Sequence, residues 1–230
     1  MQQNGLVMCL IYEGEVKRMV YHVFNKSIEE FKIFNNYYEY LRMVSAIFYY
    51  QREKPSMRFC RFISLSGKQH TNAMLSLSEK KKVVEVVAYC IMPTHPHFIL
   101  EELKKNGIAM FLKDLLNSYT RYFNIKYQRK GPLWESRSKK IKIKSDEQLL
   151  HVTRYVHLNP VTAYLVDKPE DWPYSSYREY TQKGSLGEKR CRYTHLLNIE
   201  QEEYKKFVED GIVYQRQHKE LTKIKGIIFE

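Results

Sequence analysis

Cysteine is scarce in this chain of 230 residues: there are four, at Cys9, Cys60, Cys90 and Cys191, with no close pair among them. That spacing excludes a zinc-finger framework and a small disulfide scaffold, and it fits a reducing, cytoplasmic setting. No apolar run approaches the length needed to cross a bilayer, so no membrane partner is expected. The longest apolar stretch near the start, Leu6 to Tyr12, carries no charge but is too short and too poorly flanked to read as a signal peptide. No internal repeat is visible. Acidic residues are also in deficit, 26 against 38 Lys and Arg, which leaves a net charge of +12 and a pI near 9.4. Such a balance favours polyanionic partners, nucleic acid first, over peptides or neutral metabolites.

What is present is ordinary for a folded chain. Hydrophobic residues at 43% and charged residues at 28% argue against disorder, and the length suits one domain or two small ones. Nineteen Tyr and eleven Phe add flat faces that can stack on unpaired bases or fill a core.

Residues 16–25 are rich in Val, Tyr and Phe and partly alternate, which predicts a strand. A turn over 26–31 and a short second strand at Lys32–Phe34 follow. Asn36–Gln51 reads as a helix with Leu41, Val44, Ser45 and Phe48 on one face. Residues 51–82, polar and basic with Pro55 and Gly67, read as a loop-rich insertion. Val83–Leu100 holds two apolar runs around Met92-Pro93-Thr94, the pattern of two strands or of one bent strand crossing a sheet. Ile108–Tyr127 repeats apolar residues at helical spacing, through Phe111, Leu112, Leu115, Leu116, Tyr119 and Phe123. Leu133–Lys144 alternates charged and apolar residues as an exposed arm would. Ser145-Asp146-Glu147-Gln148 is a capping box opening a helix that Pro160 is expected to stop at Asn159. Lys168–Pro173 reads as a loop, with two short helices and a tail beyond it. Strands alternating with helices place the fold in the α+β or α/β classes.

Three constellations carry potential chemistry. His95 and His97 stand at i and i+2, which on a strand puts both imidazoles on one face where they can grip one metal ion; alone, such a pair also fits packed or surface histidines. Tyr155 and Asn159 stand at i and i+4 on the capped helix, with His151 one turn before. A phenol can attack phosphorus to give a covalent ester, and an amide oxygen can be a ligand, although a surface Tyr near a helix stop has the same signature. Residues 126–144 hold eight basic residues, among them Lys126, Arg129, Lys130, Arg137, Lys139, Lys140 and Lys142, against the single acid Glu135. With Tyr127 and Trp134 interleaved, this run reads as a nucleic-acid contact rather than only a solvated face.

In this order the residues resemble the REP-associated tyrosine transposases, single-tyrosine HUH (IS200-like) enzymes that move DNA as single strands. Tyr21–Asn25 resembles the family's first strand, and Ala88–Phe98 its metal-binding strand. Tyr119–Asn124 followed by Gly131–Arg137 resembles the helix and basic arm. Arg154–Val161 resembles the tyrosine helix, Asp171–Tyr177 the segment after it, and Tyr204–Gly211 a C-terminal region. The resemblance implies a ferredoxin-like antiparallel sheet with helices packed on one face over residues 1–180, and a C-terminal helical extension over 181–230. It implies His95, His97 and Asn159 as ligands of a divalent metal, Mg²⁺ or Mn²⁺, and Tyr155 as the nucleophile. The basic set with Trp134 would hold single-stranded or hairpin DNA, in a monomer or a homodimer. The expected reaction is metal-dependent nicking and rejoining through a 5′-phosphotyrosine. Three features depart from the family pattern: Pro96 between the histidines, Ser138 after Arg137, and the longer 51–82 segment. A copy that grips hairpin nucleic acid without cutting it is the alternative. A two-histidine-motif phosphodiesterase is disfavoured, because the sequence does not hold a pair of His-x-Ser or His-x-Thr motifs.

Overall fold

The structure, a computed structural model, describes residues 19–53, 55–182 and 190–224. Cys9, the apolar stretch Leu6–Tyr12 and the first three residues of the expected strand 16–25 lie outside the described residues. Chain order is β1 (Val20–Phe24), α1 (Tyr37–Tyr50), α2 (Phe59–Ile63), α3 (Gly67–Ser78), β2 (Val84–Ile91), β3 (Pro96–Glu102), α4 (Gly107–Lys126), β4 (Lys139–Lys142), α5 (Asp146–Thr162), α6 (Tyr177–Thr181), α7 (Gln201–Glu209) and α8 (Ile212–Ile224). The four strands form one antiparallel sheet in the order β2-β3-β1-β4. With α1 and α4 as the crossovers, this is the expected ferredoxin-like α+β arrangement.

Strand periodicity assigns the two faces. Successive side chains point to opposite sides, so His97 and Phe98 of β3 mark the alternatives. Phe98 meets Phe111 of α4 edge-on at 5.9 Å between centroids, and α4 packs in turn on α1. The two crossover helices therefore share one face. His97 meets Tyr155 of α5, also at 5.9 Å, so α5 adds a further layer on the opposite face. The sheet is largely buried on both sides through β2, β3 and β1, with every residue of β2 buried, whereas the edge strand β4 is exposed.

Beyond α5, residues 171–177 run along the free edge of β2. Ile91 N–H donates to the Tyr174 carbonyl, Ser176 N–H to that of Tyr89, and the Trp172 indole to that of Ile91. This covers an edge that would otherwise present unpaired backbone groups.

Four local expectations are corrected. Lys32–Phe34 forms no strand; the Ile33 and Phe34 N–H groups both donate to the Pro93 carbonyl. Segment 51–82 is largely helical, as α2 and α3. In α3 only Leu77 is buried, so the apolar period that would announce a helix is missing. On α1 the buried face carries Tyr40, Met43, Val44 and Ile47, and Leu41 is exposed; the i, i+3, i+4, i+7 stripe starts at Tyr40 rather than at Leu41. Finally, α5 continues through Pro160 to Thr162. Proline fits helical φ and removes one donor, while Ala163 N–H still reaches the Asn159 carbonyl at 2.9 Å.

Candidate active site

The histidine motif sits at the hairpin between β2 and β3. Met92 N–H donates to the His95 carbonyl across a tight turn, and Pro96 opens β3 opposite Ile91. The first position of a strand is one that proline tolerates. On its other side β1 ends with the pair Phe24 and His97, so no ladder partner needs a Pro96 N–H. The departure at Pro96 thus leaves the strand register intact.

The rings of His95 and His97 lie 4.8 Å apart. Thr94 Oγ1 sits 2.7 Å from His95 Nδ1, which turns Nε2 of that ring away from the threonine. His97, only 1% exposed, faces Tyr155 edge-on at 5.9 Å and 89°. Two constellations that sequence spacing left separate therefore meet in space. Asn159 lies one turn further along α5, buried, with Nδ2 lacking a hydrogen-bond partner. An amide N–H group left without an acceptor at such a depth is costly unless an acceptor such as a phosphate oxygen completes it, and the amide oxygen is the atom that could ligate a cation.

A third histidine belongs to the cluster and was missed by motif spacing. His22 of β1 places Nε2 3.2 Å from His97 Nδ1, and its ring also meets Tyr155 at 5.9 Å. Burial pulls its pKa down to about 4, so it is neutral near pH 7. Its signal in the sequence was weak: a lone His in a strand, made relevant only by the register that puts His22, Phe24 and His97 on one face. His151, by contrast, faces α7, with its ring 5.5 Å from Phe207.

The donor set can be tested against a divalent cation. Among the described residues no group of three or more His, Cys, Asp or Glu gathers to hold a metal. Two imidazoles with one buried amide remain, a nitrogen and oxygen set that accepts several first-row and alkaline-earth ions. The residues fit such an ion.

The basic set divides between the two sides of the sheet. Register places Lys139 opposite Phe24, on the histidine face, with Nζ 5.5 Å above the Phe24 ring. Lys140 and Lys142 project to the other face, where Lys140 pairs with Glu102 at 3.3 Å and covers the Tyr21 ring. Lys126 is ion-paired at 2.6 Å with Glu39, whose side chain is fully buried. Arg129 is held by the Asn124 side chain and the Pro132 carbonyl. The Trp134 indole donates to Thr120 Oγ1 at 2.9 Å. Lys130 and Arg137 are exposed. Ser138, the second departure, accepts from the buried Asn25 side chain.

The C-terminal helices brace this site. Gln215 of α8 donates to the Tyr155 carbonyl, and Arg216 to that of Val161. His157, on the far side of α5, bonds Tyr204 and Ser176 at 2.6 and 2.8 Å, and burial lowers its pKa to about 3.

Comparison with known proteins agrees with the resemblance read from the motifs. Residues 60–159 match the family described as Transposase IS200 like. The matched stretch contains His95, His97, Tyr155 and Asn159. A protein of Haemophilus influenzae, named among the REP-associated tyrosine transposases, is 33% identical over 104 residues. The match covers 40% of this chain and 58% of that relative's length. Two solved structures are similar. One, a REP-associated tyrosine transposase bound to a REP hairpin, has a TM-score of 0.49 at 16% identity, covering 79% of this chain and 94% of that one. The other, described as a transposase from Deinococcus radiodurans R1, has a TM-score of 0.35 at 14% identity, covering 67% and 95%. No described helix is long and apolar enough to cross a membrane.

Proposed function

We propose that this protein is a metal-dependent transposase that nicks and rejoins single-stranded DNA through a 5′-phosphotyrosine intermediate and recognises hairpin DNA. The observation that carries it is the meeting of Tyr155, from α5, with His97 and His22, from the two inner strands. His95, His97 and Asn159 would hold a divalent ion, Mg²⁺ or Mn²⁺, which when bound supplies Lewis-acid polarisation of a phosphate oxygen. The chain's own part begins with Tyr155. Its hydroxyl oxygen attacks the scissile phosphorus and loses its proton, the 3′ oxygen leaves, and the 5′ phosphate stays esterified to the ring. Because the ester retains the phosphodiester bond energy, a free 3′-OH can reverse the step without ATP.

On this reading His22 and Thr94 are positioning residues for the two ligand rings, and Lys139 meets strand phosphates next to the site. In the C-terminal extension proposed over 181–230, Gln215 and Arg216 of α8 steady α5. The protein is taken to work in the cytoplasm, alone or as a homodimer. The test is a cleavage assay with single-stranded oligonucleotides copied from the DNA flanking its own gene, with Mg²⁺ or Mn²⁺. Strand scission with a protein-linked 5′ end is expected. Hairpin binding without scission under either metal would favour the binding-module alternative.

A further inference from the structure

On the side of the sheet opposite Tyr155, a cleft of about 780 Å³ opens between α1, α2 and α4. Its size suits a small ligand or one unit of a polymer. Arg42 of α1 reaches into it half-buried, with its guanidinium 4.1 Å from the Tyr122 ring centroid and 5.2 Å from that of Phe59. The Arg42 Nε is buried without a hydrogen-bond partner, and no described carboxylate pairs with this side chain. Arg58 and Arg121 line the same cleft with one acid, Asp114. A desolvated cation that lacks a counter-charge is expensive to keep. Burial accordingly pulls the Arg42 pKa down. A guanidinium held between two rings is also pre-set for a planar, anionic visitor.

We propose that this cleft is a second single-strand contact, in which Arg42, Arg58 and Arg121 take a phosphate of unpaired DNA and its base rests on the aromatic wall. The proposal rests on the nucleic-acid reading above but not on chemistry at Tyr155. Nucleic acid is favoured over an acidic polypeptide because the wall is aromatic as well as cationic and the whole chain carries +12. The 51–82 segment supplies α2, and with it Arg58 and Phe59, so one wall of the cleft belongs to the part of this chain that departs from the family pattern, while Arg42 comes from α1 and Arg121 and Tyr122 from α4.

The test uses the full chain and fluorescein-labelled oligothymidine, titrated at several salt concentrations. Because Arg58 and Arg121 are exposed, an Arg58→Ala/Arg121→Ala variant should fold. It should bind roughly tenfold more weakly, with a log K against log salt slope shallower by up to about 0.7, the share of the single phosphate these arginines take. Arg42→Met should also weaken binding while Tm holds or rises, since it removes an uncompensated charge. Bromodeoxyuridine oligonucleotides should photo-crosslink to peptides holding Phe59 or Tyr122. Unchanged affinity and slope, with crosslinks confined to β4 and α5, would overturn the proposal. So would loss of polyglutamate binding rather than oligothymidine binding in the double variant. The Tyr155 adduct is scored in parallel: if it is absent while the cleft variants lose binding, the catalytic reading falls and the cleft stands.

Discussion

His22 Nε2 lies 3.2 Å from His97 Nδ1, and the two rings stack within 13° of parallel. If His97 donates from Nδ1 to His22, its Nε2 is fixed as the nitrogen presented to a ligand, the arrangement by which partners of ligating histidines orient the ring. His22→Phe preserves ring volume but removes the acceptor. Mn²⁺ affinity measured by calorimetry should fall about 10- to 100-fold, while the unfolding midpoint shifts little. His22→Gln, which restores a polar partner, should recover part of the loss. Unchanged affinity in His22→Phe would reduce this pair to packing.

The ion pair between Glu39 and Lys126 gives a pH-dependent prediction. Burial alone would raise the Glu39 pKa, but hydrogen bonds from Lys126, Tyr127 and Asn35 N–H outweigh it and leave it below the ordinary 4.5. A depressed carboxylate pKa stabilises the fold above the unfolded value and loses that contribution as pH falls through the folded one. Glu39→Gln should therefore lower stability near pH 7, and the gap to wild type should close in acid. A gap that persists unchanged below the depressed pKa would contradict this account.

Gly107 opens α4 where a Cβ would overlap the Val83 carbonyl oxygen. The obstacle is backbone rather than a flexible side chain, so Gly107→Ala should cost about 3 kcal/mol in urea unfolding, at the upper end of overpacking effects. A loss under about 0.5 kcal/mol, the scale of surface substitutions, would show that the strand end yields.

The basic run is predicted to act unevenly. Lys139 shares the face of His97, whereas Lys140 lies on the other face beside Glu102. Lys139→Ala should flatten the salt dependence of single-strand binding by about 0.7, one phosphate contact. Lys140→Ala should change it less. Equal effects would show that strand DNA wraps both sides of β4.

Much of this was legible in the sequence for identifiable reasons. The α4 stripe from Phe111 to Phe123, the two runs around Met92-Pro93-Thr94 and the Ser145 cap each carry a strong local signal, and each forms where the pattern put it. The capping oxygen accepts from Gln148 N–H as the motif requires. What stayed hidden depends on pairing between distant segments. His22 joins the cluster only through the β1–β3 register, and the partners of Lys126 and Trp134 lie on elements that no spacing rule connects. The helix α3 was illegible because it buries almost nothing, and α5 outran Pro160 because one lost donor is cheaper there than ending the helix.

The central claim is that Tyr155 is the residue that becomes joined to DNA. Wild-type protein, a single-stranded oligonucleotide from the flanking DNA and Mn²⁺ should yield a covalent complex on a denaturing gel, with the 5′ phosphate mapped to Tyr155 by mass spectrometry. Tyr155→Phe deletes the one oxygen that forms the ester, so the complex and the cut should both disappear while binding of the uncut strand persists. A Tyr155→Phe protein that still forms the complex, with the phosphate on Tyr119, Tyr122 or another side chain, would contradict the account.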